Sequence, residues 1–94
     1  MNVRFTPRAE GDLEAIVEYL GERSSRGTRN VLRALYATIN LIAAHPFVGE
    51  ATSNPLARMK TLTGYPYKVF YKIGHAAIEV VHIRHGSREP WKSK

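Results

Sequence analysis

Between His45 and Leu56 the hydrophobic period of this 94-residue chain changes, and that change limits the folds open to it. Before it, apolar residues recur at helical spacing: Ala9, Leu13, Ile16 and Leu20, then Leu32, Leu35, Ile39 and Ile42. After it, Tyr67, Val69, Tyr71 and Ile73 alternate with Lys68, Phe70 and Lys72, which is the period of a half-buried strand. Helices followed by strands, rather than interleaved with them, predict an α+β domain. The helices are expected to pack together on one face of an antiparallel sheet.

Local signals set the element boundaries. Val3-Arg4-Phe5 leans towards β structure, Thr6 offers a capping hydroxyl, and Pro7 sits where a first helical residue belongs. The first helix is predicted to end within residues 21–24 and the second to begin within 25–28. Pro46 stops the second helix near His45, because proline cannot continue the hydrogen-bond ladder and disfavours helix in the residue before it. The short polar connection makes the two helices an antiparallel hairpin. Residues 46–55, with two prolines, a glycine and an asparagine, read as loop. Strands follow over 56–63, 67–73 and 76–85, with a tight hairpin at Gly74-His75. The predicted order is β-α-α-β-β-β in a single domain over 1–94. The last three strands form an antiparallel meander, and the sheet face away from the helices stays open to lysine and arginine.

Charge follows the same division. The net charge is +6, and all of the excess lies in residues 55–94, while residues 1–54 balance to zero. A basic surface built from one half of a small domain suits a polyanion or an acidic partner. With no cysteine there is no disulfide, thiolate metal site or thiol nucleophile. No apolar run is long enough to span a bilayer and no signal-peptide core opens the chain, so no membrane role and a cytoplasmic location are expected. The four histidines lack clustered carboxylates, and neither a glycine-rich phosphate loop nor a Ser/His/Asp arrangement is present. Neither metal nor cofactor is implied. Lys72, Lys92 and Lys94 read as solvated charges, Tyr65, Tyr67 and Tyr71 as packing residues, His45 as a helix cap and His75 as a turn residue. His82 shares its register with Ile78 and Val80 and is expected as a satisfied histidine on the inner face.

Four segments carry a resemblance: Phe5-Thr6-x-x-Ala9-x-x-Asp12-Leu13, His45-Pro46-x-x-Gly49, Tyr67-Lys68-Val69-Phe70-Tyr71, and Ile83-Arg84-His85-Gly86-x-Arg88-x-Pro90-Trp91. In this order and spacing the chain resembles the RelE/ParE superfamily of toxins from type II toxin–antitoxin pairs. The resemblance implies a sheet with a helical hairpin and a labile antitoxin as partner. It also implies one of two targets: mRNA on the ribosome, cut by RelE-like members, or DNA gyrase, poisoned by ParE-like members.

Metal-free RNA cleavage needs a base for the 2′-hydroxyl, cations for the developing phosphorane charge and a donor for the leaving oxygen. Arg58, Lys60, Lys68 and Arg88 match the basic positions of RelE-like nucleases, and His85 or His82 is the candidate proton shuttle near neutral pH. Trp91, however, stands where those nucleases place a tyrosine or histidine, and an indole is not a proton shuttle. The six residues after Arg88 also leave no room for a C-terminal helix. The resemblance therefore implies a ParE-like gyrase poison, neutralised by a cognate antitoxin, with Arg58, Lys60, Arg84, His85, Arg88 and Trp91 meeting the target or the antitoxin. The enzyme alternative is a ribosome-dependent mRNA endonuclease using Arg58, Lys60, Lys68, His85 and Arg88. A third reading is a degenerate member that only binds its antitoxin and regulates transcription through it.

Overall fold

In the computed structural model, which describes residues 1–86, Thr6 both ends the first strand and begins the first helix. Its hydroxyl accepts the Ala9 N–H at 3.2 Å as the helix cap and donates to the Val80 carbonyl at 3.2 Å, while its own N–H reaches the same carbonyl at 3.0 Å. Strand β1 (Asn2–Phe5) leads into α1 (Pro7–Gly21), with Pro7 at the first helical position as predicted. Ser24 then caps α2 (Ser25–Ala44) through the Gly27 N–H at 3.0 Å, and His45 closes that helix before Pro46. Three residues join the two helices, which makes them the expected hairpin.

The sheet holds one strand more than expected. Residues 46–55 are not loop throughout: Pro46–Val48 forms a single 3-10 turn and Glu50–Ala51 a short edge strand, β2. Strands β3 (Arg58–Thr61), β4 (Tyr67–Ile73) and β5 (Ala77–His85) complete it in the spatial order β1-β5-β4-β3-β2. The expected strand over 56–63 is thus trimmed at both ends, where Leu56 is exposed and Leu62 turns into the core. Strands β2 to β5 pair antiparallel, so the meander stands, but β1 joins β5 in parallel and the sheet as a whole is mixed.

Both helices cover one face. Val69, Tyr71, Ile78 and Val80 from the sheet and Ile42 from α2 are sealed from solvent, and Val3, Phe5, Leu13, Ile16 and Leu20 pack around them. On α2 the most buried positions are Val31, Leu35, Thr38 and Ile42, one step round from the expected stripe, and Leu32 and Ile39 flank it. Thr38 is tolerated inside because its hydroxyl donates to the Ala34 carbonyl at 2.9 Å.

Between Val80 and His82 the register slips by one residue. Tyr71 faces Val80 and Phe70 faces His82, which leaves Val81 as the extra residue of a β-bulge. Strict alternation would put His82 beside Val80 on the inner face; the bulge instead sets it opposite Phe70, whose ring it stacks on at 5.7 Å.

Buried Tyr71 fastens the turn after α2 to the sheet. Its hydroxyl donates to the Pro46 carbonyl at 2.6 Å and accepts the Gly49 N–H at 2.9 Å. A Cβ on Gly49 would lie 2.6 Å from that hydroxyl and 2.9 Å from the Met59 carbonyl, so only glycine fits the approach. Tyr71→Phe keeps the ring but orphans both backbone groups, and stability should fall by about 1–3 kcal/mol. That corresponds to a loss of roughly 4–8 °C per kcal/mol in melting temperature, read by circular dichroism. An unchanged melting temperature would show that water replaces the hydroxyl.

Candidate functional site

The candidate residues named from the sequence occupy three separate places. Arg58 and Lys60 stand opposite Tyr71 and Val69, so β3 turns them to the helix side of the sheet. Lys68 and Arg84 stand opposite each other on the far face. His85 pairs with Tyr67 near the C-terminal end of β5. Arg88 and Trp91 lie outside the described residues.

Arg58 is held by backbone. Its Nε donates to the Gly49 carbonyl at 3.0 Å and its Nη2 to the Phe47 carbonyl at 3.1 Å, with the guanidinium 5.3 Å from the Phe47 ring centre. These bonds satisfy carbonyls at the end of the 3-10 turn, the same turn that Tyr71 grips. Phe47 itself is 73% exposed, and Leu56, at 70%, is as bare.

The second place is centred on Asp12, the one aspartate of the chain. β1 ends at Phe5 opposite Val80, so among the described residues no strand lies beside the outer edge of β5 beyond that point. Asp12 reaches this edge from α1, and its Oδ2 accepts the Ile83 N–H at 3.0 Å and lies 2.8 Å from His82 Nδ1. A carboxylate can only accept, so His82 carries its proton on Nδ1. The ring is only 8% exposed, and burial pushes its pKa below the ordinary 6.5. The hydrogen bond and charge of Asp12 oppose that shift, while Arg8 and Arg84 add to it. His82 is thus the satisfied histidine that was expected, on the other face from the one expected. Beside it a cleft of about 200 Å³ lies between α1 and β5, lined in part by Ile16, Tyr19, Tyr67 and His85. His85 meets Tyr67 edge to face at 5.2 Å.

The third place is the far face of the sheet, which is less open than expected. The segment after β2 leans over it: Ala57 is buried, and the Thr52 hydroxyl donates to the Asn54 and Ala57 carbonyls at 2.9 and 3.0 Å. Under this segment lies a cleft of about 240 Å³, with Lys68 and Arg84 in its wall and Phe70 and Met59 among its apolar groups. Arg84 Nη1 donates to the His85 carbonyl at 3.2 Å, and the guanidinium sits 5.6 Å from the Phe70 ring centre. Its Nε is buried without an acceptor, a position that costs about 1–3 kcal/mol. Across the strands, Lys72 faces Glu79, whereas Lys68 faces a second cation.

Asp12 and Thr52 were missed as site-forming residues. Asp12 was visible as a lone short acid in a helix whose other acids are glutamates, but its partners lie 70 and 71 residues away. Among the described residues no group of histidines and acids is placed to hold a metal, and no helix is long and apolar enough to cross a membrane.

The helical hairpin over one face of a mixed five-stranded sheet is shared with a solved structure. A chain described as "Chromosomal ParDE TA system from P. aeruginosa" shares the fold, with a TM-score of 0.76 at 19% identity over 90% of this chain and 95% of that one. The family model for the ParE toxin of type II toxin–antitoxin systems, parDE, matches residues 3–90, and the chain belongs to that family. Toxin ParE1 of Caulobacter vibrioides is 32% identical over 85 residues, covering 89% of this chain and 88% of that protein. Toxin RelE2 of the same organism is 28% identical over 86 residues, covering 92% and 96%. The protein is therefore the toxin component of a type II toxin–antitoxin system, and its family implies an antitoxin partner.

The Asp12–His82 pair gives a pH dependence whose sign can be worked out. Folding lowers the imidazole pKa, so as pH falls the unfolded chain takes up the proton first. The contribution is full above 6.5 and declines as pH drops from there towards the lower folded value. His82→Asn keeps an N–H for Asp12 but does not titrate. It should flatten the dependence of the urea midpoint on pH below 6.5. A slope as steep as that of the wild type would assign the effect to another group.

Proposed function

We propose that this toxin acts by binding rather than by chemistry: freed from a cognate antitoxin, it poisons DNA gyrase. The observation that carries this reading is the separation of the cations and histidines. A metal-free nuclease must bring a base and several cations to one scissile phosphate. Among the described residues, Arg58 is spent on the carbonyls of Phe47 and Gly49, and His82 on Asp12. Lys60 lies on the opposite face of the sheet from Lys68. A surface arranged in this way fits recognition of a large target. The match to the ParE toxin family supports the same choice, and the neighbouring similarity to a RelE toxin makes ribosomal mRNA the reading to test against it.

Expression of the chain without antitoxin should induce double-strand DNA breaks and the SOS response, with no codon-positioned cuts in mRNA. A variant ending at Gly86 removes Arg88 and Trp91 and should lose toxicity while its melting temperature shows that it still folds. His85→Ala should keep most of the toxicity, because no proton passes through it. Cleavage of mRNA on translating ribosomes that His85→Ala slows by roughly 10²–10⁴ would overturn the proposal in favour of a nuclease. Survival of cells expressing the wild-type chain would overturn it in favour of a member that only binds its antitoxin.

A further inference from the structure

We propose that the cleft beneath residues 51–57, on the sheet face away from the helices, holds a backbone phosphate of DNA between Lys68 and Arg84. The inference rests on the gyrase reading for its setting, since a gyrase poison works on an enzyme–DNA complex, but the site itself is argued from geometry. Lys68 and Arg84 are direct cross-strand neighbours, and like charges in that position repel. Among the described residues neither forms an ion pair, whereas Arg4 pairs with Glu79 on the same face. Arg84 is aligned by its bond to the His85 carbonyl and backed by the Phe70 ring, so its guanidinium is already held in place. Among the described residues its Nε has no acceptor, and it is shut off from water. An oxyanion between the two cations neutralises the Lys68–Arg84 repulsion, and a turn of the guanidinium that gives up the His85 carbonyl would let the buried Nε donate to it as well. The hydroxyl-bearing Thr52 and Ser53 line the same cleft, whose volume of about 240 Å³ suits one phosphate and its sugar rather than a helix. The +6 charge of the chain draws such a polyanion in from a distance.

Fluorescence anisotropy of the chain with a short labelled DNA duplex, at several salt concentrations, tests the site without gyrase. Lys68→Met should weaken binding roughly tenfold and lower the slope of log K against log salt by about one phosphate contact. Arg84→Met should do the same. Lys72→Met removes the same charge four residues along β4, where Glu79 already faces it, and should change binding little. Lys68→Met relieves the like-charge pair, so its melting temperature should not fall, which separates lost binding from lost folding. Inorganic phosphate should raise the melting temperature of the wild type more than that of Lys68→Met. Equal losses from Lys68→Met and Lys72→Met would overturn the site in favour of diffuse attraction. An acidic peptide that binds more tightly than duplex at the same salt, and is lost in Lys68→Met, would overturn the assignment to DNA. A chain that binds duplex through Lys68 and Arg84 but leaves gyrase supercoiling untouched would keep the site and overturn the gyrase reading alone.

Discussion

Beyond Val80 no strand among the described residues lies beside the outer edge of β5, and the contact that closes it is the Asp12 carboxylate. β1 has four residues and β5 nine, so a parallel pair of such unequal lengths leaves backbone donors of the longer strand without a ladder. An unpaired edge of this kind invites mispairing with other chains. α1 covers it with two side chains at successive points. Thr6 bonds to the Val80 carbonyl where β1 stops, and six residues further on Asp12 takes the Ile83 N–H. The orientation of α1 on the sheet follows from these two bonds, and the apolar stripe of Leu13, Ile16 and Leu20 then lies over the core.

The bulge at Val81 belongs to the same device. It shifts His82 out of the inner row, where a polar ring would need a partner among apolar side chains, and sets it against Phe70 within reach of Asp12. Residues beyond the bulge keep their pairing with β4, so Ile83 returns to the core and Arg84 comes to stand opposite Lys68. The charged cleft on the far face is thus a consequence of how β5 is closed on its other side. At the opposite end of the sheet, Tyr71 and Arg58 tie the turn after α2 to β3 and β4 through the backbone of Pro46, Phe47 and Gly49. Residues of the basic half are therefore divided between holding the fold and facing outwards.

The parts legible from the sequence are those written in short-range patterns. Thr6-Pro7 marked the start of α1, Pro46 the end of α2, and the alternation from Tyr67 to Ile73 the central strand. β2 was hidden because two residues are too few to show a period, and Glu50–Ala51 becomes a strand only because β3 lies beside it. The site was less legible than the fold. Arg58, Lys60, Lys68 and Arg84 share a charge, and charge alone does not say which face a side chain takes. A single extra residue in β5 decides that for His82, and the alternation of β3 sends Arg58 and Lys60 away from Lys68.

The sequence by itself determined two amphipathic helices, three longer strands, a neutral half and a basic half, because hydrophobic period, capping and charge act over a few neighbouring residues. Tertiary structure alone decided that β1 runs parallel to β5, that Asp12 meets His82 and Ile83, and that Lys68 faces Arg84 without an acid between them. Those outcomes depend on residues as many as 75 positions apart, brought together by burying the helix pair on one face of the sheet. No local pattern carries that information, because the free energy that sets it is shared across the whole core.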